Sequence, residues 1–272
     1  MRVGTASAGG DPVAVIERDG ELWPIQGAEG RGLRELIAAG APLEPAPGEP
    51  LADARLLAPL RPGKIVAIGL NYLDHVRESG VEPPPRPLVF TKFTTSVIGP
   101  GEPIRIDAEL TERVDWEVEL AAVIGKTMRH VSEEDALDGL FGYTAANDVS
   151  ARDLQFSDGQ WVRGKSLDTF CPLGPVVVSA DEVSDPQAVP LRTVVNGETM
   201  QDSSTAEMIF GVAELISYCS RSFTLEPGDV LLTGTPWGCG DFMEPRRSLH
   251  PGDLVEVSVG VVGTLGNPVE GA

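Results

Sequence analysis

Glu117 and Glu119 stand one residue apart in the run Asp115-Trp116-Glu117-Val118-Glu119-Leu120-Ala121-Ala122-Val123-Ile124-Gly125. Read as a strand, the run sends successive side chains to opposite faces. Trp116, Val118, Leu120, Ala122 and Ile124 share one face, and Glu117, Glu119, Ala121 and Val123 share the other. A solvated face stays polar along its length, whereas this one turns apolar directly after Glu119. Two carboxylates about 6–7 Å apart along a strand suit one hard divalent cation. Without a cation, their charges repel and lose solvation together. The alternative is an exposed strand end with two solvated glutamates. Asp148, where Phe141–Asp148 reads as a strand about to enter a helix, adds a third oxygen donor. Such a set leaves positions open for water and substrate, as a catalytic Mg²⁺ or Mn²⁺ requires. No Cys/His cluster offers the ligands of a closed zinc site. Ser150 reads as the N-cap of the following helix with Asp153 in the capping-box position, which makes Asp153 a structural acid.

His75 and Glu78 sit three apart on an expected helix Asn71–Ser79 and share a face. Glu78 can orient His75 and raise its basicity, which makes a dyad able to take a proton from water; a surface ion pair is the competing reading. Lys165 closes Gly159-Gln160-Trp161-Val162-Arg163-Gly164-Lys165-Ser166, a literal match to the phosphate-loop pattern GxxxxGK[ST]. That pattern works only between a buried strand and a helix N-terminus. Here polar residues precede it and Pro172 follows soon after, so the nucleotide reading is rejected. Lys165 then reads as a lone cation for an oxyanion or enolate, or as a surface lysine in a loop. Arg152 and Gln155, at i and i+3, either hold the polar end of a substrate or brace the acidic site. Thr235, in the Gly-rich segment Thr233–Gly240, can donate to a substrate carboxylate, although plain turns look the same.

The elements that must position these groups are mostly strands. Lys64–Leu70, Leu88–Phe93, Val176–Ser179 and Arg192–Asn196 read as strands, and Pro227-Gly228-Asp229 and Pro251-Gly252-Asp253 as turns feeding two more. Helices are expected over 71–79, 133–140 and 206–220. This is a β-rich α+β pattern without the regular alternation of a parallel α/β fold. In residues 1–60, Val13–Trp23 reads as a hairpin turning at Asp19-Gly20, a short helix spans 33–39, and a Pro-rich connector covers 42–50. A small N-terminal β-rich domain over 1–60 and a catalytic domain over 61–272 are expected.

Composition narrows the function. The 272 residues carry a formal net charge of −20, which disfavours nucleic acid and anionic membranes as partners. There is no apolar run near the 18 residues of a membrane span, and Met1–Ala6 lacks the apolar core of a signal peptide. Cys171, Cys219 and Cys239 are widely spaced and read as reduced thiols of a cytoplasmic protein.

VAIGLNYLDHVRE (66–78), LVFTKF (88–93), VDWEVELAAVIGK (114–126), GYTAANDVSARDLQ (142–155), RGKSLDTFCPLGP (163–175), VNGETMQDSSTAEMIF (195–210) and LEPGDVLLTGTPWG (225–238) together resemble the fumarylacetoacetate hydrolase family. The resemblance covers about 60–270. It implies a coiled β-sheet catalytic domain behind a small N-terminal domain, and a homodimer. It places metal ligands for Mg²⁺ or Mn²⁺ on Glu117, Glu119 and Asp148, the general-base dyad on His75 and Glu78, and the catalytic lysine at Lys165. The implied substrate is a small anionic oxo acid. The leading expectation is hydrolysis of the C–C bond of a 2,4-diketo, acylpyruvate-type acid, with water activated by the dyad and the developing enolate stabilised by Lys165 and the cation. Decarboxylation of oxaloacetate or a related oxo acid and isomerisation of an unsaturated 2-oxo-diacid are the alternatives within the family. An inactive metal- or ligand-binding member is the alternative of another class.

Overall fold

The computed structural model describes all residues, 1–272. Its main sheet runs, in spatial order, Glu21–Pro24, Val13–Arg18, Arg2–Ser7, Cys171–Ser179, Leu140–Asn147, Val118–Ile124, Val230–Leu232, Ile65–Gly69 and Leu88–Lys92. Along this path every pairing is antiparallel except Val230–Leu232 with Ile65–Gly69. A second sheet orders Glu198–Ser204, Pro190–Val195, Leu254–Val259, Gly263–Gly271 and Ile104–Ile106. The architecture is the β-rich α+β fold expected from the sequence.

Both faces of the main sheet are covered, which explains why its central strand is apolar on both sides. Val118, Leu120, Ala122 and Ile124 join one core with Val255, Val257 and Leu265 of the second sheet. Ala121 and Val123 join the other core, together with Leu33, Leu36 and Ile37 of the helix Leu33–Ala38. Glu119 therefore begins a face that the chain's first residues cover, and it is 1% exposed. The first three strands reach this sheet through Arg2–Ser7, which pairs with Cys171–Ser179. Their hairpin turns at Asp19 and Gly20, with φ of 52° and 81°, as the Asp-Gly pair demands.

Several elements differ from their sequence-based expectation. The run 115–125 is not one strand: Val114–Asp115 pairs with Ser150–Ala151, and Val118–Ile124 pairs with Leu140–Asn147. Glu117 lies in the break. The expected helix over 133–140 is only a 3₁₀ turn, Ala136–Gly139. It ends where Leu140 is drawn into register with Ile124. So short a segment cannot recover the cost of helix nucleation. The helix expected over 206–220 starts at Val212, after Gly211, and runs to Ser222. Its Val212, Leu215, Ile216 and Cys219 are buried at i, i+3, i+4 and i+7. The capping box at Ser150 does not form: Ser150 is in a strand, its hydroxyl donates to the Asp148 carbonyl, and Ala151 is the N-cap. Asp153 still acts structurally, accepting from the Thr111 hydroxyl at 2.6 Å and the Glu112 N–H at 3.0 Å.

Leu215 is fully buried in the larger core, distant in sequence from every acidic residue of interest. Leu215→Ala should cost about 2–5 kcal/mol, lowering the urea midpoint, while any Mg²⁺-induced rise in Tm keeps its size. A midpoint equal to the parent's would contradict this packing.

Candidate active site and metal centre

The break at Trp116–Glu117 brings the acids together. The Glu117 N–H donates to Asn147 Oδ1 at 2.9 Å, and the Asp148 N–H donates to the Glu117 carbonyl at 2.9 Å. Two chain segments leaving adjacent strands are thus stitched side by side, with their carboxylates pointing to one place. Glu117, Glu119 and Asp148 offer oxygens that lie within 4.8 Å of one another, and all three residues are buried.

Three buried cations surround them. Lys165 Nζ donates to Glu117 Oε2 at 2.7 Å and Asp148 Oδ2 at 2.9 Å. Arg152 pairs with Glu117 Oε1 at 2.7 Å and, through Nε, with Asp115 Oδ2 at 2.9 Å. Lys92 Nζ lies 2.5 Å from Asp148 Oδ1 and 3.2 Å from the Val149 carbonyl, with its side chain wholly buried. Burial on its own would raise the Glu117 pKa, but Lys165 and Arg152 outweigh it and hold the carboxyl down to about 2. Glu119 has no cationic partner in contact. Burial, with Asp148 and Glu117 nearby, pushes its pKa well above the usual carboxyl range, although the Gly234 N–H donates to it at 2.7 Å.

This arrangement fits a hard divalent cation. With Asp115 included, four buried carboxyl groups face three buried cations, and the one left without a cation, Glu119, is the one that holds its proton most readily. The donors are all carboxylate oxygens, the ligand type that Mg²⁺ and Mn²⁺ prefer.

Beside the carboxylates, His75 Nδ1 and Glu78 Oε1 are 2.6 Å apart. The helix Leu73–Ser79 carries both, ending at Gly80 with φ of 67°. The Gly238 N–H fixes the other Glu78 oxygen at 2.9 Å. The segment Gly234–Asp241 thus clamps three acids through its backbone: Gly234 holds Glu119, Gly238 holds Glu78, and the N–H groups of Gly240 and Asp241 hold Asp115. Glycine is required at 238, where φ is 97° and a Cβ would stand 2.2 Å from the Met200 carbonyl oxygen.

One cavity of about 370 Å³ is lined by His75, Glu117, Arg152, Gln155, Lys165 and Thr235 among others. The sequence-selected residues therefore converge. Glu119 and Asp148 lie just behind this lining, and Glu78 contacts its ring through His75. Gln155 accepts from Arg152 Nη1 at 3.0 Å, so this pair braces Glu117. Thr235 Oγ1 accepts from Gln201 Nε2 at 2.9 Å, which leaves its own hydrogen free for a ligand. The phosphate-loop look-alike has a different physical origin. Gly164 permits the short helix Val162–Lys165 to approach Arg152–Ser157, since a Cβ there would stand 2.7 Å from the Gln155 nitrogen, and Ser166 Oγ accepts from the Phe93 N–H. All three cysteines are free and buried. Cys239 lies 4.0 Å from His75 Nδ1, and burial pushes its thiol pKa well up, so it stays uncharged.

Residues 64–270 match the model of the fumarylacetoacetate (FAA) hydrolase C-terminal domain. The chain belongs to the fumarylacetoacetate hydrolase family. It is 49% identical over 221 residues to the mitochondrial oxaloacetate tautomerase fahd2 of Xenopus laevis, covering 80% of this chain and 69% of that one. The structure of fumarylacetoacetate hydrolase EaFAH from Exiguobacterium antarcticum aligns over the whole of both chains with a TM-score of 0.92 and 39% identity. That of 5-carboxymethyl-2-hydroxymuconate delta-isomerase from Mycobacterium smegmatis also covers both chains, at a TM-score of 0.85 and 39% identity. Fumarylacetoacetate hydrolase relatives of this chain thus carry names from more than one reaction class. No helix is long and apolar enough to cross a membrane.

The unpaired charge on Glu119 has a thermodynamic consequence. Its folded-state pKa lies above its unfolded value, so folding takes up a proton. In metal-free protein the cost of burying its charge therefore appears as pH rises above the unfolded value and is complete once pH passes the folded one. Glu119→Gln should raise the Tm of metal-free protein at pH 8 and abolish the rise that Mg²⁺ gives the parent. Equal Mg²⁺ responses in the two proteins would remove Glu119 from the metal centre.

Proposed function

We propose that this chain is a divalent-metal-dependent enzyme acting on a 2-oxo acid with a second carbonyl two carbons away, by proton transfer at the carbon between them. The reading rests on one observation: a single cavity is lined by His75, which is paired with half-buried Glu78, by Lys165, and by Glu117 of a buried three-carboxylate set. Mg²⁺ or Mn²⁺ held by Glu117, Glu119 and Asp148 would supply a Lewis acid that acidifies the hydrogens of that carbon.

The protein's own groups divide the remaining work. Glu78, as a carboxylate, accepts the Nδ1–H of His75 and leaves Nε2 as the basic nitrogen. Nε2 removes the proton and can return it to oxygen or to carbon, which interconverts keto and enol forms. Lys165 keeps its positive charge, because Asp148 and Glu117 outweigh the effect of burial, and it meets the negative charge that develops on oxygen. Arg152 and Gln155 keep Glu117 ionised and in place. Thr235 offers a hydroxyl to the substrate carboxylate.

Keto–enol tautomerisation is the leading reaction, supported by relatives named as oxaloacetate tautomerases at 42 to 49% identity. Hydrolysis of the C–C bond of a 2,4-dioxo acid is the second reading, supported by a solved relative named as a fumarylacetoacetate hydrolase at 39% identity. In that case Nε2 takes its proton from water.

The test is turnover of EDTA-stripped protein, with Mg²⁺ or Mn²⁺ restored, on oxaloacetate and acetylpyruvate. Loss of enol absorbance only with metal is expected, and pyruvate released from acetylpyruvate identifies hydrolysis. His75→Asn should bind metal as the parent does and lose about 10²–10⁴-fold in kcat. Full activity in that variant, or in stripped protein, would overturn the proposal.

A further inference from the structure

The wall of the cavity away from the carboxylates is aromatic and uncharged. Trp161 caps the short helix that ends in Lys165, and the Lys165 N–H donates to the Trp161 carbonyl at 3.0 Å. One helical turn therefore sets the indole and the ammonium group on the same side. The ammonium lies 5.5 Å from the centre of the Phe90 ring, and that ring meets Trp161 edge to face at 5.4 Å. The indole rests on Gly69, where a Cβ would come within 2.2 Å of it. Leu70, Val81 and Phe156 extend this surface. Phe242, also in the lining, lies 5.4 Å from the His75 ring and 5.7 Å from the Arg152 guanidinium. Arg152 and Lys165 are the only Arg or Lys side chains in the lining, and both are already paired with Asp115, Glu117 or Asp148.

We infer that Phe90, Trp161 and their apolar neighbours form a subsite for an uncharged apolar or aromatic acyl group, so that the preferred 2-oxo acid ends in such a group and not in a second carboxylate. The inference rests on the functional reading above and adds the substrate class. Its physical basis is desolvation. A terminal carboxylate against Phe90 and Trp161 would lose water with only Lys165 nearby, 5.5 Å from the Phe90 ring and already paired with Glu117 and Asp148, whereas an alkyl or phenyl group gains from burial there. The cavity is of a size typical for ligands larger than a four-carbon acid.

The test is kcat/KM of the Mg²⁺-loaded protein for acetylpyruvate, straight-chain acylpyruvates of increasing length, benzoylpyruvate, fumarylpyruvate and oxaloacetate, read both as enol loss and as pyruvate release. The value read as enol loss should rise about fourfold per methylene over the first few additions, whatever share of the product is pyruvate, and benzoylpyruvate should exceed fumarylpyruvate. A flat series, or a preference for fumarylpyruvate or oxaloacetate, overturns the subsite while leaving the functional reading intact. Absence of metal-dependent turnover on every member overturns both. Trp161→Ala should flatten the rise with chain length; a folded variant with the parent's slope removes Trp161 from the subsite. The series on the unaltered chain decides the matter even if that variant fails to fold.

Discussion

The site depends on a buried charge imbalance. Asp115, Glu117, Glu119 and Asp148 are taken out of water together, and Lys92, Arg152 and Lys165 go with them. Each of these charges would be costly to bury alone. Glu117 is engaged at both oxygens, by Arg152 and Lys165, and Asp148 at both, by Lys92 and Lys165. Asp115 accepts from Arg152 and from the N–H groups of Trp116, Gly240 and Asp241. Glu119 alone receives only a backbone N–H from Gly234. The network thus leaves one carboxylate without a cation, and that deficit is what a divalent cation would fill.

This constraint accounts for features of the fold that packing alone leaves unexplained. The strand must break before Val118 so that Glu117 can turn toward Arg152 and Lys165, and Asn147 satisfies the Glu117 N–H that the break exposes. The segment Gly234–Asp241 must run close enough for its backbone to reach Glu119, Glu78 and Asp115. Its glycines make that approach possible: at Gly234 a Cβ would meet Asn71 Cβ at 2.9 Å, and at Gly240 it would meet the Trp116 ring at 2.7 Å. Asn71 in turn bridges the Phe210 and Thr233 carbonyls, tying the start of the His75 helix to the same segment. Glu78 of the dyad and Glu119 of the carboxylate set are therefore held by one piece of backbone.

The clustered buried acids were legible in the sequence because they violate a pattern. Glutamates that interrupt an apolar alternation announce themselves, and so does a His with a Glu three residues on. Lys165 stood out because it closed a motif that its context contradicted. Lys92 was not legible: Leu88–Lys92 is an edge strand in the main sheet, where a terminal lysine is ordinarily a solvated one. Only the crossing of Asp148 behind that strand reveals its burial. Asn147, Asp115 and Gln201 were missed for a similar reason, since each works through a backbone or side-chain partner far away in sequence. Gln201 shows this well, accepting from the Val118 N–H and the Thr193 hydroxyl and donating to Thr235 and the Pro236 carbonyl. The capping box at Ser150 is absent because strand pairing with Val114–Asp115 overrode a local preference worth about 1 kcal/mol, whereas the segment 133–140 is simply too short once Leu140 joins the strand beside Val118–Ile124.

On the proposed reading the same residues would serve tautomerisation and hydrolysis, so the choice between them would lie in the space around His75 and not in the acids. Both reactions need Nε2 basic, Glu78 behind it and a cation near the oxo group. Hydrolysis needs one thing more, a water held against the distal carbonyl within reach of Nε2. A substrate whose tail fills the region between Phe90, Trp161 and Phe242 excludes solvent from that side and leaves the C3 proton as the only one in reach. A shorter tail leaves room for water. On this geometry the aromatic wall bears on reaction type as well as on substrate preference, through the volume it leaves beside the imidazole.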